Sequence, residues 1–247
     1  MLNKSNYINL DLNVKDQYIY RIISLDRLYE LFSTRKNVLV SPKKWDDPFE
    51  NFILNSKARL PDGEIVGLGF RDDFFGQCWT RHKASDAMWR IYSPDSNGVR
   101  IRTTIPKLAD SLASTLGEWE NVQCSIGKVS YLNNSKLMAF ANTVFKGHIN
   151  PPAHVLAKTL LVKRPAFKHE NEVRLLYFEK ENGKTNTIYK YDIDPHTLID
   201  QIMIDPRLKY SEFTKIKSDI KSITGFKARI LRSKLYTTPD DMVFPFG

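Results

Sequence analysis

Glu170, Glu172 and Arg174 are the residues of this chain best suited to chemistry, and they lie two apart in Lys168-His169-Glu170-Asn171-Glu172-Val173-Arg174-Leu175-Leu176-Tyr177-Phe178. The segment begins polar and turns apolar, which predicts a strand over 170–178. Successive side chains of a strand alternate faces, so Glu170, Glu172 and Arg174 share one side and Val173, Leu175 and Tyr177 the other. Two carboxylates held in this way beside an arginine can grip a sugar hydroxyl and activate a nucleophile. The same spacing also suits a solvated strand edge carrying a salt bridge.

Four further clusters are polar and aromatic together. Tyr20-Arg21 closes a first predicted strand, and an arginine there can hold a diphosphate through bidentate, charge-assisted hydrogen bonds, or else pair on the surface with Asp26 or Glu30. Asp46-Asp47-Pro48-Phe49-Glu50 places three carboxylates around a fixed turn. Hard cations want more oxygen ligands than this loop supplies, so backbone capping is the better reading and no metal is expected. In Gln77-Cys78-Trp79-Thr80-Arg81-His82 an apolar strand emerges into polar residues. There Thr80 could bond a ligand and Trp79 stack on it, while Cys78 reads as core rather than nucleophile. In Met88-Trp89-Arg90-Ile91-Tyr92, Trp89 and Tyr92 fall on one helical face, either sandwiching a planar base or packing into the core.

The elements that must position these residues follow from periodicity and punctuation. Strands are expected at 17–23, 37–41, 74–79, 99–103, 122–131, 187–193, 198–204 and 228–235, besides 170–178. Helices are expected after Ser24, from Ser85 to Tyr92, from Pro106 to Leu116, over 135–145 and over 210–223. The last should turn Phe213, Ile216, Ile220 and Ile223 inward. Residues 153–163 read equally as helix or strand, and Pro61-Asp62-Gly63 and Asn182-Gly183 as turns. Strands with interspersed helices in no strict alternation predict an α+β fold in one domain over 1–247.

The chain has 247 residues, enough for a sizeable core at 42% hydrophobic and 12% aromatic content. No apolar run is long enough to cross a bilayer and two cysteines make no disulfide framework, so a soluble, cytoplasmic protein with no membrane partner is expected. The motifs of nucleotide-triphosphate, zinc-protease and serine-hydrolase chemistry are absent. A net charge of +9 favours anionic partners. A basic strand-helix-strand segment at about 198–235 carries much of it, with nine Lys or Arg between Pro206 and Leu235.

In order, Tyr20-Arg21-Ile22-Ile23-Ser24-Leu25, Ser41-Pro42 with Asp47-Pro48-Phe49-Glu50, Cys78-Trp79-Thr80, Met88-Trp89-Arg90-Ile91-Tyr92 with Gly98-Val99, and Glu170-Asn171-Glu172-Val173-Arg174 resemble an uncharacterised bacterial family of single-domain proteins. The order Arg, then Ser/Thr at a middle strand end, then Glu-x-Glu is more distantly similar to the ADP-ribosyltransferases. That resemblance implies a mixed, split β-sheet with flanking helices, and NAD as substrate. It places Arg21, with Tyr20 beside it, on the NAD diphosphate and Thr80 at the nicotinamide ribose. Trp79 or Tyr92 would stack on the nicotinamide, Glu172 would bond the ribose hydroxyl as nicotinamide leaves, and Glu170 would orient the acceptor. The enzyme implied is a glycosyltransferase of this type, of the kind found among toxins and phage-defence effectors, with a nucleic acid or protein as acceptor. The alternative is a nucleic-acid-binding or nucleic-acid-processing protein that does not use NAD, resting on the charge and on exposed aromatics such as Trp45 or Trp79.

Overall fold

A computed structural model describes residues 2–11, 13, 17–45, 47, 49, 50, 52–59, 63–67, 72–146, 151–179, 186–237 and 243–246. Asp46, Pro48, Pro61-Asp62 and Asn182-Gly183, singled out in the sequence, lie outside them. The strands of the main sheet are β1 (Tyr7–Ile8), β2 (Tyr18–Ser24), β3 (Lys36–Val40), β4 (Phe74–Thr80), β5 (Gly98–Thr104), β6 (Cys124–Lys128), β7 (Glu172–Phe178), β8 (Ile188–Asp192), β9 (Gln201–Ile204) and β10 (Arg229–Arg232). The helices include α1 (Leu25–Thr34), α2 (Asp86–Tyr92), α3 (Ile105–Ala113), α4 (Asn134–Thr143), α5 (Ala153–Thr159) and α6 (Tyr210–Thr224). The fold is α+β, and the strands run in the order β1-β6-β7-β4-β2-β5-β9-β10, with β3 joined to both β4 and β8. The sheet is mixed. β1 on β6 and β9 on β10 are parallel, and the other pairs are antiparallel.

The sheet splits where β4 meets β2. These strands pair at one position, Tyr20 opposite Thr80. Beyond it β2 continues along β5, while β4 is bridged to β3 at Gly76 and Val40. The backbones of Arg21 and Ile22 therefore diverge from Trp79 and Cys78, which opens a crevice inside the sheet.

Each face of the sheet carries its own apolar cluster. Ile19, Phe75, Trp79, Ile101, Val173 and Leu175 pack with α3 and α6 on one side. Phe74 and Leu176 pack with Leu156, Leu160 and Leu161 on the other. Alternation in β7 and β4 assigns these faces, and it puts Glu172, Arg174, Thr80, Cys78 and Gly76 together on the second. Gly76 lies there beneath Trp45, where a Cβ would come within 2.7 Å of Trp45 Cζ2 and 3.1 Å of Leu176 Cδ2. Gly76→Ala is expected to lower stability by about 1–3 kcal/mol, read as a shift in the denaturant midpoint at unchanged slope.

Local signals placed most elements well. Ser24 Oγ accepts the Arg27 N–H and Ser85 Oγ the Met88 N–H, opening α1 and α2 as their sequences require. Gly225, at φ 66°, closes α6. Three expectations are corrected here, and one open between helix and strand is decided. Residues 120–123 are a helical turn, so the strand expected from Val122 begins at Cys124. Residues 195–198 form a short helix capped by Asp194, so the strand expected from Leu198 begins at Gln201. The ambiguous stretch is helix over Ala153–Thr159 followed by a two-residue strand, Val162–Lys163. Ile223 is 63% exposed rather than inward, because Phe213 and Ile220 already fill the contact with the core. No helix among the described residues is long and apolar enough to cross a membrane.

Candidate active site

A cavity of about 140 Å³ opens at the split and is lined by Tyr20, Arg21, Ile22, Cys78, Trp79, Thr80, Met88, Tyr92, Glu170 and Glu172. All seven residues singled out for a site meet here: Glu172, Glu170, Arg21, Tyr20, Thr80, Trp79 and Tyr92. They come from β2, the end of β4, α2, the start of β7 and the helical turn that precedes it. Sheet register makes part of the arrangement compulsory, since Glu172 lies opposite Thr80 and Thr80 opposite Tyr20 in one row across three strands.

Glu170 arrives differently from the expectation. It does not belong to the strand but ends a helical turn, Pro165–Glu170, and Asn171 follows in the left-handed region at φ 43°. That reversal ends the alternation, so Glu170 and Glu172 share the cavity without sharing a strand face. Asparagine tolerates this conformation better than most residues. The Thr80 hydroxyl donates to the Glu170 carbonyl oxygen at 2.5 Å and accepts the His82 N–H at 3.0 Å. Thr80 is thus committed to holding this turn in place, and the expectation that its hydroxyl bonds a ligand is corrected to that extent.

The carboxylates belong to a buried ion network that the sequence did not reveal. Arg174, with no exposed surface, donates from Nε to Glu172 Oε1 at 3.0 Å and from Nη2 to Glu172 Oε2 at 2.8 Å. The same Nη2 reaches Glu50 at 2.7 Å, and Nη1 donates to the Leu160 carbonyl at 2.7 Å. Lys163 Nζ lies 2.6 Å from Glu50, 2.6 Å from Glu170 and 3.8 Å from Glu172. The Tyr131 hydroxyl accepts the Glu172 N–H at 2.9 Å. Arg174 also stacks on Trp45 at 4.3 Å. Three carboxylates (Glu50, Glu170, Glu172) thus face two cations (Lys163, Arg174), and one carboxylate is in excess beside the cavity.

Titration follows from these contacts. Burial alone would raise Glu172, but Arg174 and then Lys163 outweigh it and hold this carboxyl below its ordinary range. Burial wins at Glu170, which is raised even though Lys163 opposes it. Burial pushes the Tyr92 hydroxyl up, and Glu170 and Glu172 add to the effect. Burial also raises Cys78 well above a usual thiol, with Glu172 adding, so the site contains no thiolate nucleophile.

Arg21 stands apart from the network. Among the described residues its guanidinium has no hydrogen bond or ion pair, and Glu30, one of its anticipated surface partners, is held by Arg27 at 2.6 Å. Burial lowers its pKa, as expected of a cation without a counter-ion. Arg21 and Trp79 also line a second cavity of about 260 Å³, with Asn37, Lys36 and Lys190 on its walls. A cation at the junction of two cavities, with no partner among the described residues, suits an anionic ligand.

The aromatic expectations divide. Trp79 is 3% exposed and donates its Nε1–H to Gln77 at 2.8 Å, so it contributes a wall and is not an exposed stacking surface. Trp89 is core at 1%, whereas Tyr92 is 45% exposed, so the pair does not sandwich a ring and Tyr92 alone presents a free face. Asp47 caps the Phe49 N–H at 3.1 Å and pairs with Arg164 at 2.8 Å, fixing the loop that delivers Glu50. Among the described residues no group of three or more His, Cys, Asp or Glu is arranged to hold a metal ion.

Comparison with known proteins places residues 88–175 in a match to a family described as a protein of unknown function (DUF2971), in agreement with the uncharacterised family that the motifs indicate. The match includes Met88–Tyr92, Glu170, Glu172 and Arg174 but not Arg21 or Thr80. No curated protein matches the chain. Among solved structures, the chain is similar to Thermus sp. 2.9 DarT in complex with carba-NAD+, at 13% identity and a TM-score of 0.38, covering 90% of this chain and 97% of that one. It is also similar to the same protein in complex with ADP-ribosylated ssDNA, at 11% identity and a TM-score of 0.40, covering 90% and 96%. The complex with NAD+ matches at 12% identity and a TM-score of 0.40, covering 90% and 97%.

Proposed function

We propose that this chain is an NAD-dependent ADP-ribosyltransferase. The observation that carries the reading is the convergence of Arg21, Tyr92, Glu170 and Glu172 on one cavity from segments up to about 150 residues apart in sequence, with no counter-ion to Arg21 and an excess of carboxylate charge among the described residues. Arg21 holds the diphosphate by charge-assisted hydrogen bonds. Tyr92 offers its exposed ring to the nicotinamide. As the glycosidic bond to nicotinamide breaks, its electron pair leaves with the ring and positive charge develops on the ribose. Glu172, ionised and fixed by Arg174, stabilises that charge from a site that has no need to reorganise. Glu170 then faces the acceptor and takes the proton of its attacking hydroxyl or amine.

The net charge of +9 favours a polyanionic acceptor, and nucleic acid is the class that fits it best. The charge alone would equally serve a nucleic-acid-binding protein that makes no use of NAD, but such a protein has no need of the buried carboxylate cluster. Incubation of the purified protein with NAD is expected to release nicotinamide and, with nucleic acid or cell extract present, to label an acceptor. Absence of both would overturn the reading.

A further inference from the structure

Lys163 is the cation that touches all three carboxylates, and neither its spacing nor its neighbours in sequence mark it. It lies in the two-residue strand Val162–Lys163, which pairs in parallel with Ser130–Tyr131, and its ammonium group packs over the Phe167 ring at 4.4 Å. Its side chain is 7% exposed and ends midway between Glu50 and Glu170, 2.6 Å from each. Glu170 is therefore held twice, at its backbone by Thr80 and at its carboxylate by Lys163. Glu50 in turn anchors Lys163 from a loop fixed by the Asp47–Arg164 pair. Double anchoring of this kind fixes one rotamer of a long side chain, which loose packing would leave mobile.

We propose that Lys163, anchored by Glu50, is a positioning residue that aims the Glu170 carboxylate at the incoming acceptor. The inference rests on the transferase reading above and assigns to it a residue, Lys163, that the motifs leave out. In the acceptor half of the reaction the O–H of the acceptor attacks the anomeric carbon, the new O–C bond replaces the C–N bond lost with nicotinamide, and the proton passes to Glu170 and on to solvent. Water can take the acceptor's place. The groups facing Glu170 are Lys163, Glu50 and Glu172, with Tyr92 from α2, Tyr131 from the neighbouring strand and Arg174 behind Glu172. Of these, Lys163 makes the direct ion pair that favours the ionised carboxylate, so its loss moves the Glu170 titration to higher pH.

The test uses NAD with water as the acceptor and follows nicotinamide release across pH. Lys163→Met is expected to lower kcat about 10-fold or more while KM for NAD changes by less than about 2-fold, and to move the acid limb of the kcat profile upward by about one pH unit. Lys163→Arg should restore most of the rate and return the limb. Lys163→Met leaves Glu170 without its cation and Glu50 with Arg174 alone, and could fail to fold. The double variant Lys163→Met/Glu50→Gln removes one of those charges, and it is expected to show the same slow, limb-shifted release. An unmoved limb, or a rise in KM at constant kcat, overturns the proposal while leaving the transferase reading in place. A wild-type protein that releases no nicotinamide overturns both.

Discussion

Glu172→Gln is expected to reduce nicotinamide release by about 10²-fold or more, the usual loss when one preorganised charge is removed from a transition state. The substitution keeps the shape and an acceptor oxygen for Arg174 but abolishes the charge that Arg174 and Lys163 hold ionised. On a solvated strand edge, the alternative that the spacing allows, its loss would scarcely affect folding. The structure corrects this, because Glu172 is 5% exposed and accepts two hydrogen bonds from a fully buried guanidinium. A stability loss of about 1.5–3 kcal/mol should therefore accompany the loss of rate. Its pH dependence has a definite sign. The folded pKa of Glu172 lies below the ordinary 4.5, so the contribution is present above that value and disappears as pH falls through the folded pKa. Denaturant unfolding of both proteins should show a constant gap near neutral pH that closes on acidification. A variant that loses stability but keeps its rate would make Glu172 only the structural partner of Arg174.

Arg174→Met is expected to be the most destabilising single change, at about 3–5 kcal/mol, because it strands the buried charge of Glu172 and leaves Glu50 to Lys163 alone. It also removes the hydrogen bond to the Leu160 carbonyl and the stacking on Trp45. For a chain of this length the melting temperature should fall by roughly 10 °C. Met approximates the volume of the arginine stem, so a lost cavity-filling group is not the cause. A triple variant, Arg174→Met with Glu172→Gln and Glu50→Gln, should recover part of the loss, since it leaves no carboxylate unpaired at that end. If the single variant unfolds within about 1 kcal/mol of wild type, the network does not hold the sheet together as its geometry implies.

The amino-acid sequence by itself determined the elements and the chemistry available. Ser24 and Ser85 mark their helices because a hydroxyl before an apolar period satisfies a free N–H, and Gly225 ends α6 because it accepts φ 66° without strain. Alternation in 172–178 put Glu172 and Arg174 on one face, since a strand has no other way to arrange them. What the sequence missed depends on tertiary contacts. Asn171 interrupts the expected strand through a left-handed backbone stabilised by Thr80, ninety residues away from Glu170 in the chain. Glu50 and Lys163 carry no periodic signal, because a loop residue and the end of a two-residue strand acquire their roles only from what packs against them. Likewise Trp79, Trp89 and Tyr92 are all aromatic and close in sequence, yet only the packing of α2 on β2 and the split in the sheet decide which of them is buried and which keeps a free face. The tertiary structure alone decided that the three glutamates meet. Burying like charges is costly unless cations from distant segments arrive with them, and only a folded chain can bring those together.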